Sequence, residues 1–200
     1  MIVGNAHDEP WSGELSTELV ERAQGGDRDA FDLLATRSYD RLYAVAQRIL
    51  RDSHSAEDAV QEALIRAWRD LRSLRDPDRF EAWTYRLLVR ACADHSRRRR
   101  RIAVEVTDLA IDHPSSHDDF AAVVQRDEVE RAFLHLSVEH RAVLVLTHYV
   151  GLPAPDVAQY MSIPVGTVYS RLHYATQLMK RALETPAPVD SMSRARGQVL

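Results

Sequence analysis

The chain has 200 residues, 45% of them hydrophobic, which is enough to bury one or two small cores. No stretch reaches the ~20 uninterrupted apolar residues that span a bilayer, and the first residues lack the basic-then-apolar order of a secretory signal, so we expect a cytoplasmic protein without membrane insertion. Cys92 is the only cysteine, which excludes an internal disulfide and a cysteine-based zinc site.

The charge is unevenly distributed along the chain. A formal net charge of −4 argues against a nucleic-acid-binding protein, because affinity for nucleic acid rests on cationic side chains that neutralise phosphates. However, the segment 86–101 carries seven arginines and one aspartate, whereas residues 102–125 carry five acidic residues and no Lys or Arg. A basic block therefore lies beside an acidic one, and the average charge conceals a candidate nucleic-acid-binding surface.

The first hundred residues show helical periodicity and no convincing strand pattern, which predicts an all-α fold. The breaker Gly25-Gly26-Asp27 separates two predicted helices. Residues 55–58 (SAED) resemble a capping box and predict the start of a helix that runs to about Leu74. After a proline-containing loop, a further amphipathic helix is predicted from Phe80 into the arginine run at residues 97–101.

The composition changes after the arginine run. Residues 102–119 are acidic and contain His-Pro-Ser-Ser, which is typical of a linker between two domains. Helical spacing returns at Phe120. The predicted organisation is a flexible N-terminus (1–13), a first helical domain (14–101), a flexible acidic linker (102–119), a second helical domain (120–183) and a flexible tail (184–200).

The second domain has the breaker pattern of a helix-turn-helix. One helix is predicted to end at Gly151, and Pro155 suits the first turn of a very short helix that ends near Met161. A tight connector, Ser162-Ile163-Pro164, then leads into a longer helix over residues 165–183. In a helix-turn-helix this second helix enters the major groove of DNA.

The start of that longer helix carries residue types that suit DNA binding. Gly166 permits close approach of a backbone, and Thr167 and Ser170 can bond phosphate oxygens. Arg171 and His173 add longer polar side chains. The alternative is a surface helix whose polar face is only solvated, and the short-turn-long pattern favours DNA binding.

Residues 163–173 (IPVGTVYSRLH) resemble the region-four recognition segment of extracytoplasmic-function sigma factors, which are bacterial transcription initiation factors. The resemblance implies that this segment reads the minus-thirty-five promoter element. The sequence departs from the family at Tyr169, where Lys or Arg is usual, so one phosphate contact is missing or is replaced by the tyrosine hydroxyl. The implied contact residues are Pro164, Gly166, Thr167, Tyr169, Ser170, Arg171 and His173.

Residues 58–68 (DAVQEALIRAW) resemble the region-two helix by which these factors dock onto the β′ clamp helices of RNA polymerase. An outward mixture of an apolar residue with glutamine and charged neighbours suits a contact between helices. The alternative is a solvated face with Ile65 and Trp68 turned to the core. The residues implied to bind polymerase are Asp58, Gln61, Glu62, Ile65, Arg66 and Arg69.

Residues 80–86 (FEAWTYR) and the basic residues after them resemble the segment of region two that opens and reads the minus-ten element. Aromatic and basic side chains suit the capture of unstacked bases and of a single-stranded backbone. The resemblance also implies that a flipped base is held by the loop at residues 73–79 and the start of the following helix. The implied DNA contacts are Phe80, Trp83, Arg86, Arg90, Arg97, Arg98, Arg99 and Arg100.

Two alternatives remain open at this segment. Phe80 and Trp83 are residue types that more often fill a core than hold a base. The arginine run can also be a solvated charge run without a specific ligand.

As a whole, the resemblance implies a non-catalytic specificity subunit of RNA polymerase, without metal or cofactor. Its implied partners are core RNA polymerase, through the β′ clamp helices and the β flap, promoter DNA and an anti-sigma factor. The acidic linker either threads through polymerase channels that otherwise hold RNA or acts as an unspecific tether between two DNA-binding domains.

Two other classes of function compete with this interpretation. One is a helix-turn-helix regulator that binds duplex DNA without polymerase. The other is a metal-dependent hydrolase using His113, His117, Asp118 and Asp119, which are suitable donors for zinc or manganese. A linker rich in proline and serine is a poor rigid platform for such a site, and no activated nucleophile accompanies it.

Overall fold

The computed structural model describes residues 14–107, 132–133 and 136–184 of the chain. Seven helices order these segments, and the all-α fold is confirmed: α1 Glu14–Gln24, α2 Arg28–Leu50, α3 Ser53–Asp70, α4 Phe80–Thr107, α5 Val138–Leu144, α6 Ala154–Met161 and α7 Val165–Glu184. Two 3₁₀ turns, Leu71–Ser73 and Pro77–Arg79, connect α3 to α4, and a π-helical turn, Val145–Tyr149, follows α5. No described helix is both long and apolar enough to cross a membrane.

The break between α1 and α2 lies where the glycine pair predicts it. Gly26 adopts a φ of 100°, which favours glycine, and Asp27 caps α2 by accepting a hydrogen bond from the Ala30 amide at 3.1 Å. Arg22 of α1 contacts the same carboxylate at 2.7 Å. The Ala30 amide and then Arg22 hold the pKa of Asp27 below its usual range. The turn is therefore ordered by hydrogen bonds from both helices.

Three helix ends differ from the sequence prediction. α3 begins at Ser53, because Asp52 rather than Ser55 is the N-cap and accepts from the Ser55 amide at 3.0 Å. It ends at Asp70, and the three residues Leu71–Ser73 form a tighter 3₁₀ turn before Leu74. α4 continues six residues beyond Arg101, since residues 102–107 contain neither glycine nor proline to end it.

Several predicted segments lie outside the described residues. These are the N-terminus at residues 1–13, the linker from residue 108 to 119, the start of the second domain at Phe120 and the tail from residue 185. The four side chains considered as metal ligands, His113, His117, Asp118 and Asp119, belong to this part of the chain.

The core of the first half lies among α2, α3 and α4. On α3, the apolar residues Val60, Ala63 and Ala67 are at most 2% exposed. Val45 of α2 and Leu88 of α4 are fully buried in the same cluster. Removing this apolar surface from water provides most of the driving force for packing the three helices.

The second half forms the predicted helix-turn-helix. Gly151 ends the π-helical turn with a φ of 80°, and Pro155 lies in the first turn of α6. Ser162 adopts a left-handed conformation with a φ of 56°, which turns the chain sharply into α7. Val157 and Val168, one from each helix, are fully buried between them. Packing and turns together fix the angle of α7.

The two halves also contact each other, a point that the sequence does not decide. The Arg48 guanidinium of α2 lies 3.8 Å from the centre of the Tyr149 ring. Arg90 of α4 donates a hydrogen bond to the Ser162 hydroxyl at 3.1 Å. The turn of the helix-turn-helix therefore rests against α4.

Candidate nucleic-acid interface

A pocket of about 400 Å³ opens between the end of α3 and the first half of α4. We call it the arginine pocket. Its lining combines four cationic side chains, one carboxylate, one hydroxyl and two apolar groups: Arg69, Arg72, Arg86, Arg90, Asp70, Ser73, Trp83 and Leu87. The end of α3 and the following turn contribute Arg69, Asp70, Arg72 and Ser73, and α4 contributes the other four residues.

The electrostatics of the arginine pocket favour an anionic ligand. Asp70 is the only carboxylate in the lining and accepts from Arg69 Nε at 3.2 Å. Arg86 Nε is buried and has no hydrogen-bond partner among the described residues. Burial, and then the charges of Arg86 and Arg66, hold the pKa of Arg90 below its usual value. Crowded guanidinium groups gain from binding a phosphate, which neutralises their charge and accepts several hydrogen bonds at once.

The aromatic residues at the start of α4 divide into two roles. Phe80 is 2% exposed in the hydrophobic core, so its prediction as a DNA contact is wrong, since no base can reach the ring. Trp83 is half-buried and lines the arginine pocket, with its ring centre 6.3 Å from that of Phe80. An indole beside guanidinium groups combines a stacking surface with phosphate donors, which suits a nucleotide.

The arginine run extends the basic surface along α4 beyond the pocket. Arg97, Arg98 and Arg99 are exposed, and the side chain of Arg100 lies outside the described residues. Arg97 contacts Asp94 at 3.0 Å, and Arg99 contacts Asp52 at 3.5 Å. Such exposed ion pairs are weak. These arginines therefore remain available for a nucleic-acid backbone.

On α3, three exposed side chains share one line of the helix. Gln61, Ile65 and Trp68 follow a spacing of four and three residues; Ile65 is 65% exposed and Trp68 38%. We call this line the docking face. Half-exposed Asp58 continues it by one turn, and the exposed Arg69 lies next to it. Two large apolar side chains in water on one helix face indicate a partner surface.

Two of the residues predicted to bind polymerase also make contacts within the chain. Arg66 donates to Glu62 at 2.6 Å and to Asp94 of α4 at 3.1 Å. His95 of α4 lies 3.2 Å from the second oxygen of Glu62. Glu62 and Arg66 thus connect α3 to α4, and each side chain remains partly exposed.

Trp68 is the member of the docking face that the sequence prediction missed. Its position seven residues after Gln61 and three after Ile65 was the available signal. The indole also contacts Phe31 of α2, with the ring centres 4.9 Å apart.

Helix α7 presents three adjoining rows of side chains to solvent. The rows are Val165 with Tyr169, then Gly166 with Ser170 and His173, and then Thr167 with Arg171 and Tyr174. All of the predicted contact residues lie on or next to these rows, with Pro164 immediately before α7. Val165 and Tyr174 were missed, although they share the spacing of the others. The surface is short of charge and carries Arg171 as its only arginine.

The fold itself does not require glycine at position 166. A Cβ at Gly166 would meet no described atom within 4 Å, and the residue has no positive φ.

Helix α5 supports Tyr174 from behind. Tyr174 packs against His140 of α5, with the ring centres 4.9 Å apart, and His140 Nδ1 lies 2.8 Å from the Ser137 hydroxyl. Burial, and then Arg171, lower the pKa of His140, which favours the neutral ring.

The described ranges contain no group of three or more His, Cys, Asp or Glu side chains placed to hold a metal ion. Burial raises the pKa of the Cys92 thiol to about 12, which leaves it protonated and unreactive.

Comparison with known proteins places both halves in one family. A family model for sigma-70 region 2 matches residues 34–102, and one for sigma-70 region 4 matches residues 126–179. The chain is 33% identical to the RNA polymerase sigma-H factor of Pseudomonas aeruginosa over 184 residues, which covers 86% of this chain and 95% of that protein. It is 34% identical to the ECF RNA polymerase sigma factor SigM of Mycobacterium tuberculosis over 168 residues, 84% of each chain.

A solved structure supports the fold independently. The sigma factor RpoE, solved in complex with the anti-sigma factor NepR from Bartonella quintana, superimposes with a TM-score of 0.62 at 22% identity, covering 78% of this chain and 98% of that chain. With two domain matches in the same order and relatives above 30% identity over most of the chain, this protein belongs to the extracytoplasmic-function group of sigma-70 RNA polymerase sigma factors.

Proposed function

We propose that this sigma factor binds core RNA polymerase through the docking face of α3, captures an unpaired promoter strand in the arginine pocket and reads duplex DNA with α7. In this proposal residues 14–101 and 120–183 act as two functional domains joined by the linker. The observation that carries it is the arginine pocket, which combines four guanidinium groups with an accessible indole ring. A duplex keeps its bases stacked, so this combination suits a single strand better.

The docking face supports the polymerase contact. Ile65 and Trp68 are exposed although their burial would be favourable, and Gln61 and Asp58 add polar groups along the same line. Interfaces between helices are typically centred on such apolar anchors with a polar rim. The partner is the β′ clamp helices, and the second domain contacts the β flap.

Strand capture at the minus-ten element requires donors for phosphate and a platform for a base. Arg86 has an unused buried donor, and Trp83 lines the same pocket. In the described state Arg90 is held by Ser162, so a phosphate that enters the pocket competes with that hydroxyl for the guanidinium group. Each base stacked on an aromatic side chain contributes roughly 1–3 kcal/mol.

Helix α7 recognises the duplex minus-thirty-five element. Its N-terminal residues project from the helix-turn-helix into solvent, and Val165 and Tyr169 offer apolar contact to thymine methyl groups. Gly166 leaves room for a sugar-phosphate backbone, and Thr167 and Arg171 supply polar contacts.

The protein acts in the cytoplasm as a non-catalytic specificity subunit, and an anti-sigma factor regulates it. The complex of RpoE with NepR supports the last point by analogy, because that relative of the same fold binds an anti-sigma factor. An exposed docking face on α3 is a surface that such a regulator would mask to prevent polymerase binding.

The test of the docking step uses Ile65→Asp and Trp68→Ala in the full chain. We expect each to weaken binding to bacterial core polymerase at least tenfold and to reduce factor-dependent run-off transcription from a promoter library in proportion. Thermal stability is expected to stay near that of the parent for Ile65→Asp, since the side chain is already exposed. Binding is measured by fluorescence anisotropy of labelled sigma factor against core polymerase.

Tyr169→Asp is the matched control, because Tyr169 is a large side chain on the other domain whose exposure, 58%, lies between those of Trp68 and Ile65. It should retain core affinity and lose initiation. If both α3 variants bind core polymerase like the parent, or if the wild-type protein initiates no transcription and instead binds a duplex site tightly without polymerase, the proposal is wrong.

A further inference from the structure

Helix α1 lies outside the part of the chain that the region-2 family model matches, which begins at residue 34. It nevertheless contacts the turns between α3 and α4. Gln24, the last residue of α1, donates hydrogen bonds from its single side-chain nitrogen to two carbonyl oxygens, Leu71 O at 3.1 Å and Leu74 O at 2.6 Å. One amide group thus holds both ends of a four-residue segment that is about fifty positions away in sequence.

The held segment forms one side of the arginine pocket. Between the two carbonyls lie Arg72 and Ser73, whose side chains line the pocket. The flanking side chains of Leu71 and Leu74 are buried in the core, and the Leu74 amide closes the turn onto Leu71 O at 3.1 Å. The backbone that carries Arg72 is therefore fixed from beneath by Gln24 and by two buried leucines.

A second contact from α1 reaches the next turn. The Thr17 hydroxyl donates to Asp78 at 2.5 Å, and the Asp78 amide in turn donates to the Asp76 carboxylate at 3.2 Å. Both turns between α3 and α4 are thus attached to the same face of α1. Short turns without such attachments sample several conformations, because few buried contacts hold them.

We propose that α1 is a positioning element for strand capture, in which Gln24 sets the place of Arg72 and Ser73 in the arginine pocket and thereby the discrimination between bases of the unpaired strand. The inference rests on the proposed capture of single-stranded DNA in that pocket. Gln24 touches no DNA itself. Discrimination depends on it because polar groups that select a base lose selectivity when they move by about 1 Å.

The test compares Gln24→Met and Gln24→Glu in holoenzyme assembled with core polymerase. Methionine has a similar length without any donor, and glutamate places oxygen against two carbonyl oxygens. The probe is a fluorescein-labelled single-stranded oligonucleotide carrying the minus-ten element of a promoter selected by the wild-type holoenzyme, with versions bearing each other base at each position.

We expect both variants to reduce the ratio of affinities between the selected strand and its best single-base competitor about five- to tenfold, with Gln24→Glu the stronger. Affinity for core polymerase is expected to stay unchanged, since the docking face lies on α3. Thr17→Val, which removes an exposed hydrogen bond with little risk to folding, should reduce the ratio about twofold. Glu21→Gln, an exposed change one turn earlier on α1, is the matched control and should leave it unchanged.

A merely structural role for Gln24 predicts a different result, in which affinity for all strands and for core polymerase falls together and the discrimination ratio stays constant. That result, or a ratio equal to the wild-type value in both Gln24 variants, overturns the inference. If the wild-type holoenzyme does not bind the selected strand, the proposed strand capture fails; if it binds all the strands equally, capture stands and the inference about discrimination is overturned, which separates the two claims.

Discussion

The arginine pocket and helix α7 are both proposed to bind DNA, yet their surfaces differ in kind. The pocket gathers four arginines around one indole ring, and one of the four has an unused buried donor. The exposed rows of α7 carry one arginine, two tyrosines, a valine and a glycine. The difference corresponds to two forms of one polymer: a single strand offers unstacked bases and a flexible backbone, whereas a duplex offers groove edges and a fixed shape.

The comparison explains how a chain with a net charge of −4 can bind DNA. The positive charge is concentrated on α4 and on the turn before it, where a flexible backbone has to be held. Recognition of duplex DNA by α7 depends more on the close fit of its side chains to the groove than on charge. Salt sensitivity should therefore belong mainly to the first half of the protein and shape sensitivity to the second.

The largest expected effect comes from removing charge in the arginine pocket. The double variant Arg86→Gln with Arg90→Gln should weaken holoenzyme binding to a single-stranded minus-ten oligonucleotide by about 100-fold or more, since each charge-assisted hydrogen bond contributes about 1.5–3 kcal/mol. The slope of log affinity against log salt should fall by about 1.4, roughly 0.7 for each lost phosphate contact. Titrations between low and moderate salt measure both quantities.

Arg98→Gln, on the exposed part of α4, is the control for that experiment and should reduce the slope by no more than about 0.7 with a much smaller loss of affinity. If the double variant keeps the wild-type slope, the pocket does not hold phosphate.

An intermediate effect is expected at Gly166, where fold and function should respond in opposite directions. Gly166→Ala should stabilise the protein by about 0.5–1 kcal/mol, because alanine favours a helix and its Cβ meets no described atom within 4 Å. Binding to duplex minus-thirty-five DNA should fall about tenfold, because the added methyl group blocks the close approach of a backbone. Thermal denaturation and duplex binding by holoenzyme are measured on the same preparation.

Ser170→Ala is the control on the same row of α7 and should weaken duplex binding less, since it removes one hydroxyl without adding bulk. If the Gly166→Ala protein is more stable and binds duplex DNA normally, the missing side chain at Gly166 is not needed for duplex binding.

The smallest effect is expected at Asp52, which caps α3 and lines neither the arginine pocket nor the exposed rows of α7. Asp52→Ala removes the N-cap of α3 and should lower the free energy of unfolding by about 1 kcal/mol at pH 7, with base discrimination unchanged. Hydrogen bonds from Ser55, aided by Arg99, hold the pKa of Asp52 below its usual range. A lowered carboxylate pKa contributes stability above the unfolded value of about 3.9 that is lost as the pH falls.

The difference in stability between the parent and Asp52→Ala should accordingly shrink as the pH is lowered from about 5 to 3. Urea denaturation across that range measures it, with Asp32→Ala, an exposed residue on α2, as the control. A constant difference across this range would show that the carboxylate charge does not contribute to the cap.

Features carried by local chemistry could be predicted from the sequence. Gly26 and Gly151 take the positive φ values that make them breakers, and Pro155 lies in the first turn of α6 as its ring geometry predicts. The start of α3 was misplaced because Asp52 and Ser55 are both good N-cap residues within three positions, and the local pattern does not choose between them.

Features that depend on tertiary contacts could not be predicted. The arginine pocket joins Arg69 and Arg72 from the end of α3 to residues of α4, and Gln24 reaches it from α1. The sequence predicts Arg66 on the outward face of α3 but does not show that Asp94 of α4 is its hydrogen-bond partner. Resemblance to a family identifies segments, and packing decides which side chains of a segment are free.

The claim that the arginine pocket binds single-stranded DNA and α7 binds duplex DNA is tested most directly with two DNA probes and one holoenzyme preparation per variant. One probe has a duplex minus-thirty-five element alone, and the other a single-stranded minus-ten element alone. We expect Arg86→Gln with Arg90→Gln to lose the single strand and keep the duplex, and Gly166→Ala to lose the duplex and keep the single strand. Equal losses by both variants on both probes would show that the two surfaces do not bind different forms of DNA.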